Sequence, residues 1–113
     1  MGKSCIEVNL EYGHPRLEDA LDELRNALKT AKQNKTGCIV FVHGYGSSGA
    51  GGIIRVKARQ ILDSRQKKGE IKTVINGEDF NIFNPQAIEL KHKYKELEQY
   101  MRVVNHGITI AEL

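Results

Sequence analysis

His43 stands where an apolar run, Cys38-Ile39-Val40-Phe41-Val42, gives way to five glycines in nine residues, Gly44 to Gly52. An imidazole next to backbone without side chains can approach an anion closely. If a helix follows the glycines, their N–H groups lie at the positive end of its dipole. Gly44, Tyr45 and Gly46 come directly after the histidine, and Arg55 and Arg59 lie four residues apart, on one face of any helix that begins near Ile53. The chemistry these residue types point to is contact with phosphate, here the backbone of a nucleic acid, with Tyr45 placed to stack on a base or sugar. Arg55 falls in the first turn, where the dipole disfavours a cation unless an anion is held there too.

The charge distribution fits a polyanion. Residues 51–72 carry seven cations (Arg55, Lys57, Arg59, Arg65, Lys67, Lys68 and Lys72) against Asp63 and Glu70, whereas the rest of the chain is slightly acidic and the whole is +3. Positive charge therefore collects immediately after the glycine loop.

The flanking segments read as a scaffold for that loop. Ile6, Val8, Leu10 and Tyr12 alternate with polar residues, which predicts a strand over 5–12. Pro15 suits the first turn of a helix whose buried face is Leu17, Ala20, Leu21, Leu24, Ala27, Leu28 and Ala31, with Gly37 as punctuation. The strand 38–42 shows no alternation, so it belongs inside a sheet covered on both faces. A basic helix follows, with Ile54, Ala58, Ile61 and Leu62 as its apolar stripe, and then a short strand over 71–75. Asn76-Gly77 signals a turn, and Phe80 to Phe83 reads as a brief extended piece. Asn84 caps a helix with Pro85 at its first position, and Ala87, Leu90, Tyr94, Leu97 and Met101 form a narrow stripe that packs on the domain or on a partner. Residues 108–113 close as a strand. Alternation of strands and helices implies right-handed crossovers and a small mixed or parallel sheet in one α/β domain, 1–113, with an extra helical segment at about 84–103.

Composition excludes several classes. No apolar run reaches membrane-spanning length and the first residues lack a signal-peptide core, so the expected compartment is the cytoplasm and no membrane partner is expected. Cys5 and Cys38 sit in apolar strand contexts, which favours buried free thiols over a disulfide. The four dispersed histidines and two cysteines offer no zinc spacing.

The order of a short strand, a helix containing L-E-D-A-L, a strand ending in H-G-Y-G, a basic helix and a terminal G-I-T-I-A-E-L resembles the small MutS-related (Smr) domain. The resemblance covers about residues 6–75 and 107–113 and rests on H-G-x-G at His43 to Gly46 and G-x-T-x-x-E-L from Gly107 to Leu113. It implies a βαβαββ-type two-layer sandwich similar to the C-terminal domain of translation initiation factor three, with an added helix before the last strand. It also implies binding of DNA or RNA and, in many members, nicking endonuclease activity; the sequence leaves any cofactor open, with Mg²⁺ the candidate if the chain is a nuclease. Leu10 and Glu11 align with the start of the family's first motif, L-D-x-H-G, while Gly13 falls on its histidine and His14 follows one residue later.

For phosphodiester hydrolysis, Glu11 or His14 could act as base or orient water. The backbone of Gly44 to Gly46 with Arg55 could clamp developing charge, and His43 could serve as base or stabilise the leaving oxygen. For binding, the candidates are His43, Gly44, Tyr45, Gly46, Arg55 and Arg59. Other readings of the loop lack their contexts. Gly44 to Gly49 matches G-x-G-x-x-G, but no acidic residue ends a second strand about 20 residues on. Ala50-Gly51 replaces the Lys and Ser/Thr of a P-loop, and V-H-G-Y-G-S-S has no nucleophile elbow to serve. The alternatives kept are a protein-interaction or self-association module using the Ala87 to Met101 helix, and, more remotely, a nucleotide-binding domain.

Overall fold

A β-branched run with no polar face needs cover on both sides, and residues 38–42 receive it at the centre of a sheet. The computed structural model describes residues 4–13, 15–44 and 51–113. Strand β1 (Cys5–Asn9) pairs in parallel with β2 (Cys38–Val42), and β3 (Thr73–Asn76) follows at the far edge. Strand β4 (Ile108–Glu112) inserts antiparallel between β2 and β3, which gives the order β1-β2-β4-β3 and a mixed sheet.

Register sorts the side chains into two cores. Ile39, Phe41 and Ala111 face α1 (Leu17–Gln33) and α2 (Gly51–Lys67), where they meet Leu24, Leu28, Ile54, Ala58 and Leu62. Cys38, Val40, Ile108 and Ile110 point the other way, onto Ala87 and Leu90 of α3 (Pro85–Lys93) and onto Tyr94 and Leu97 beyond it. The stripe read at Ala87, Leu90, Tyr94 and Leu97 is thus buried on the chain's own second core. Asn84 caps α3 as expected, its side chain accepting from the Gln86 N–H at 3.0 Å.

Several boundaries differ from the sequence expectation for identifiable reasons. Strand β1 stops at Asn9, short of residue 12, because the Asn9 side chain accepts the Glu11 N–H at 2.9 Å and turns the chain, leaving Tyr12 exposed. Helix α1 begins at Leu17, with Pro15 outside it and Arg16 as the uncapped N-cap. The Phe80 to Phe83 piece is a turn instead of extended: Asn81 accepts from the Phe83 N–H at 2.9 Å, so Phe80 is buried while Ile82 and Phe83 face solvent. The segment 84–103 is broken at Tyr94, whose φ of −129° ends α3 before a 3-10 helix, Lys95–Met101. The Tyr94 ring lies against the bare α-carbon of Gly37, and the bend lets the Tyr100 hydroxyl reach Glu7 on β1.

A β-carbon on Gly37 would collide with that ring. Gly37→Ala is expected to lower unfolding free energy by about 1–3 kcal/mol, read as a shifted midpoint in a urea titration. An unchanged midpoint would show that the ring moves aside freely.

Candidate nucleic-acid interface

The C-terminal ends of β1, β2 and β3 and the start of β4 meet at one end of the sheet. The β1–β2 ladder continues past β1 through the Leu10 N–H to the Val42 carbonyl at 2.7 Å, so Glu11 emerges beside Gly44. Gly44 has φ +77°, and a β-carbon there would strike the Glu11 carboxylate, which therefore rests on the glycine backbone. On the other side Gly44 packs against Gly107, whose carbonyl accepts from the His43 N–H at 2.9 Å and the Gly44 N–H at 3.0 Å. Glycine is needed at 44 for its left-handed backbone and for the carboxylate lying on it.

His43 is fully buried. Its Nδ1 lies 3.1 Å from the Gly44 carbonyl oxygen, which can only accept, so Nδ1 carries the proton and Nε2 is left to accept. The Thr109 hydroxyl, 2.9 Å away, is the donor to Nε2. That hydroxyl in turn accepts from Arg59 Nε at 2.9 Å. Arg59 also grips Glu78 through two bonds, of 2.9 and 2.7 Å, and donates to the carbonyls of His106 at 3.3 Å and Ile108 at 3.1 Å. His106 Nδ1 stands 3.6 Å from the same Glu78 carboxylate. The result is a chain of donors that runs from Arg59 to Thr109 to His43 to the Gly44 carbonyl, with Glu78 accepting from the other side of Arg59.

The electrostatics follow from this arrangement. Burial pushes the His43 imidazole down, from its ordinary 6.5 to about 4. The Gly44 carbonyl opposes the shift, while the charges of Arg59 and Arg55 reinforce it. At neutral pH His43 is therefore an uncharged hydrogen-bonding group. Burial works to raise the Glu78 carboxyl, but its hydrogen bonds and the nearby Arg59 and His106 overcome this and hold it below its ordinary value.

The candidate residues thus divide. Glu11, Gly44 and His43 are brought together. Helix α2 starts at Gly51, earlier than the sequence suggested, so Arg55 is its fifth residue and lies just past the first turn, which contains no acidic residue; it is half-buried and close enough for its charge to act on His43. Arg59 lies on the same helix but turns inward, its donors taken by Glu78, Thr109 and carbonyls. His14, Tyr45 and Gly46 lie outside the described residues. Thr109 and Glu78 were not among the sequence candidates, although Thr109 is the threonine of the terminal G-x-T-x-x-E-L motif. Among the described residues no three His, Cys, Asp or Glu side chains are grouped to hold a metal ion. At this end Glu11 offers an exposed carboxylate, while that of Glu78 is bound by Arg59. Nor is any described helix long and apolar enough to cross a membrane.

Comparison with known proteins agrees with this frame. The Smr domain family model matches residues 13–78, more than half of the chain. The crystal structure of the Smr domain of Thermus thermophilus MutS2 is similar with a TM-score of 0.58, at 20% identity over 95% of each chain, a likeness of fold. No curated protein sequence matches the chain.

Because His43 binds its proton less readily when folded than when unfolded, the unfolded chain takes up more protons between pH 6.5 and 4. The stability this group contributes is full above 6.5 and is lost as pH falls toward 4, by roughly 3 kcal/mol over the window. Urea denaturation across that range should show the loss in the wild-type chain, with a flatter profile in His43→Gln. Thr109→Val, which keeps the shape but removes the hydroxyl, is expected to cost about 1–3 kcal/mol, because it leaves His43 Nε2 and Arg59 Nε without their shared partner. A ΔΔG near zero in urea would mean that water replaces it.

Proposed function

The chain belongs to the Smr domain family, and on that basis we propose that it binds the sugar–phosphate backbone of DNA or RNA at the end of the sheet where Glu11, Gly44 and the N-terminus of α2 meet. The observation that carries this reading is the convergence at that end. An exposed carboxylate rests on a left-handed glycine, and the helix that follows has no acid in its first turn and carries Arg55 just past it, with a charge that reaches His43, at the head of the chain's most basic segment.

In this reading the groups that meet the ligand are the N–H groups of the first turn of α2, which have no partner within the helix, and the Arg55 guanidinium, since the His43 and Gly44 N–H groups are held by the Gly107 carbonyl. His43 acts from beneath: neutral and clamped at both nitrogens, it fixes the backbone from which the glycine loop departs. Arg59 supports the same floor through Thr109 and its pair with Glu78. Glu11 has the exposure a general base needs, so phosphodiester nicking is the reaction we assign to the site. Its chemistry would be proton removal from water by the Glu11 carboxylate, with developing charge met by backbone N–H groups and Arg55. Magnesium ions are commonly held by one or two carboxylates together with substrate phosphates. Glu11 fits the first part of that donor set, and no step above depends on a metal.

Fluorescence anisotropy with single-stranded, duplex and branched DNA and with RNA should give an affinity that falls with salt and depends little on sequence. Arg55→Ala should weaken binding across the panel and reduce the salt slope by about 1. Absence of binding to every member at low salt would overturn the reading. With supercoiled plasmid, with and without Mg²⁺, Glu11→Gln should slow nicking by about 10²–10⁴-fold while binding persists. Equal nicking by wild type and Glu11→Gln would remove Glu11 from the mechanism.

A further inference from the structure

At the opposite end of the sheet, Cys5 and Cys38 are register partners on the parallel strands β1 and β2. In a parallel pair, register partners project to the same face, and both thiols lie in the second core beside Tyr94, Leu97 and Tyr100. Adjacent strands lie about 4.8 Å apart, within the Cα separation of about 4.4–6.8 Å that a disulfide spans. Neither cysteine is bonded in the structure. The two differ in access. Cys38 is fully buried, whereas Cys5 is half-buried and lines an open surface cavity of about 270 Å³ with Glu96, Gln99 and Tyr100. A hydrogen bond with the adjoining Cys5 thiol and, after it, burial hold Cys38 protonated well above the ordinary range for a thiol.

We propose that Cys5 and Cys38 form a reversible oxidation site, with Cys5 as the thiol that meets a hydroperoxide and Cys38 as the one that resolves it. In the first step Cys5 Sγ attacks the peroxide, an S–O bond forms and the O–O bond breaks. Hydrogen peroxide is reduced to water as Cys5 is oxidised to a sulfenic acid. In the second step Cys38 Sγ attacks Cys5 Sγ, the S–O bond breaks, and hydroxide leaves as water with the proton from the Cys38 thiol. The net change is two thiols and one peroxide to one disulfide and two waters. The product ties β1 to β2 at their first residues, leaving Glu11 and His43 at the other end of the same strands.

The test treats the reduced full chain with hydrogen peroxide, followed by intact-mass analysis and peptide mapping without reductant. The expected product is a monomer lighter by two hydrogens, with the Cys5 and Cys38 peptides linked and both thiols restored by dithiothreitol. In Cys38→Ser the expected product is a Cys5 sulfenic acid trapped by dimedone, and in Cys5→Ser the buried Cys38 should remain unmodified. The proposal is overturned if the wild-type chain gains oxygen without losing two hydrogens, if its only disulfides join two chains, or if both thiols survive peroxide that oxidises the urea-unfolded chain. Because the readout is covalent, it stands or falls independently of nucleic-acid binding.

Discussion

The buried end of the Arg59 side chain is the constraint around which the site is built. A guanidinium drawn from α2 toward the sheet loses water and must recover every hydrogen bond from the protein. Glu78 supplies the countercharge from the 3-10 helix after β3, Ile108 and His106 supply carbonyls, and Thr109 supplies a hydroxyl with one proton still to donate. That remaining proton determines the tautomer of His43 and, through it, the orientation of the Gly44 carbonyl. One cation thus ties together α2, the 3-10 helix after β3, β4 and the end of β2 and leaves an uncharged imidazole against the Gly44 carbonyl.

This arrangement separates support from contact. Buried pairs such as Arg59 and Glu78 position backbone, and leaving one partner unpaired in a dry site costs more than the pair contributes relative to an apolar substitute. Groups that meet a flexible polyanion need the reverse properties: exposure, backbone N–H groups without bulky neighbours, and charge that is not already neutralised. Glu11 and Arg55 come nearest to that character, whereas Gly44, buried and with its N–H held by Gly107, belongs with the support, as does the terminal motif. Gly107 packs on Gly44, Thr109 bridges His43 and Arg59, and Glu112 accepts from Thr73 and Lys93.

Much of this was legible because local patterns reflect local burial. The unbroken run Cys38 to Val42 marked a strand covered on both faces, the Leu17 to Ala31 stripe marked α1, and Asn84-Pro85 marked the start of α3. What escaped depended on partners distant in sequence. Arg59 looks solvent-facing on a helical wheel until Glu78, 19 residues on, and Thr109, 50 residues on, are brought beside it. The break at Tyr94 goes with the packing of its ring on Gly37, in the connection between α1 and β2, and no periodicity within 84–103 encodes it. The early end of β1 and the turn at Phe80 to Phe83 arise from Asn side chains competing for backbone N–H groups, a local signal that alternating apolar residues concealed.

Strand β4 pairs with both β2 and β3, which do not pair with each other. Until residues 108–112 leave the ribosome, the β1–β2 pair and β3 therefore have no ladder between them, and the Thr109 hydroxyl that satisfies Arg59 and His43 is missing. Joining the β1–β2 pair to β3 must then come late, through contacts of high sequence separation that close slowly. During synthesis the clamp of Thr109 on Arg59 and His43 would therefore arrive in the same step as the finished sheet.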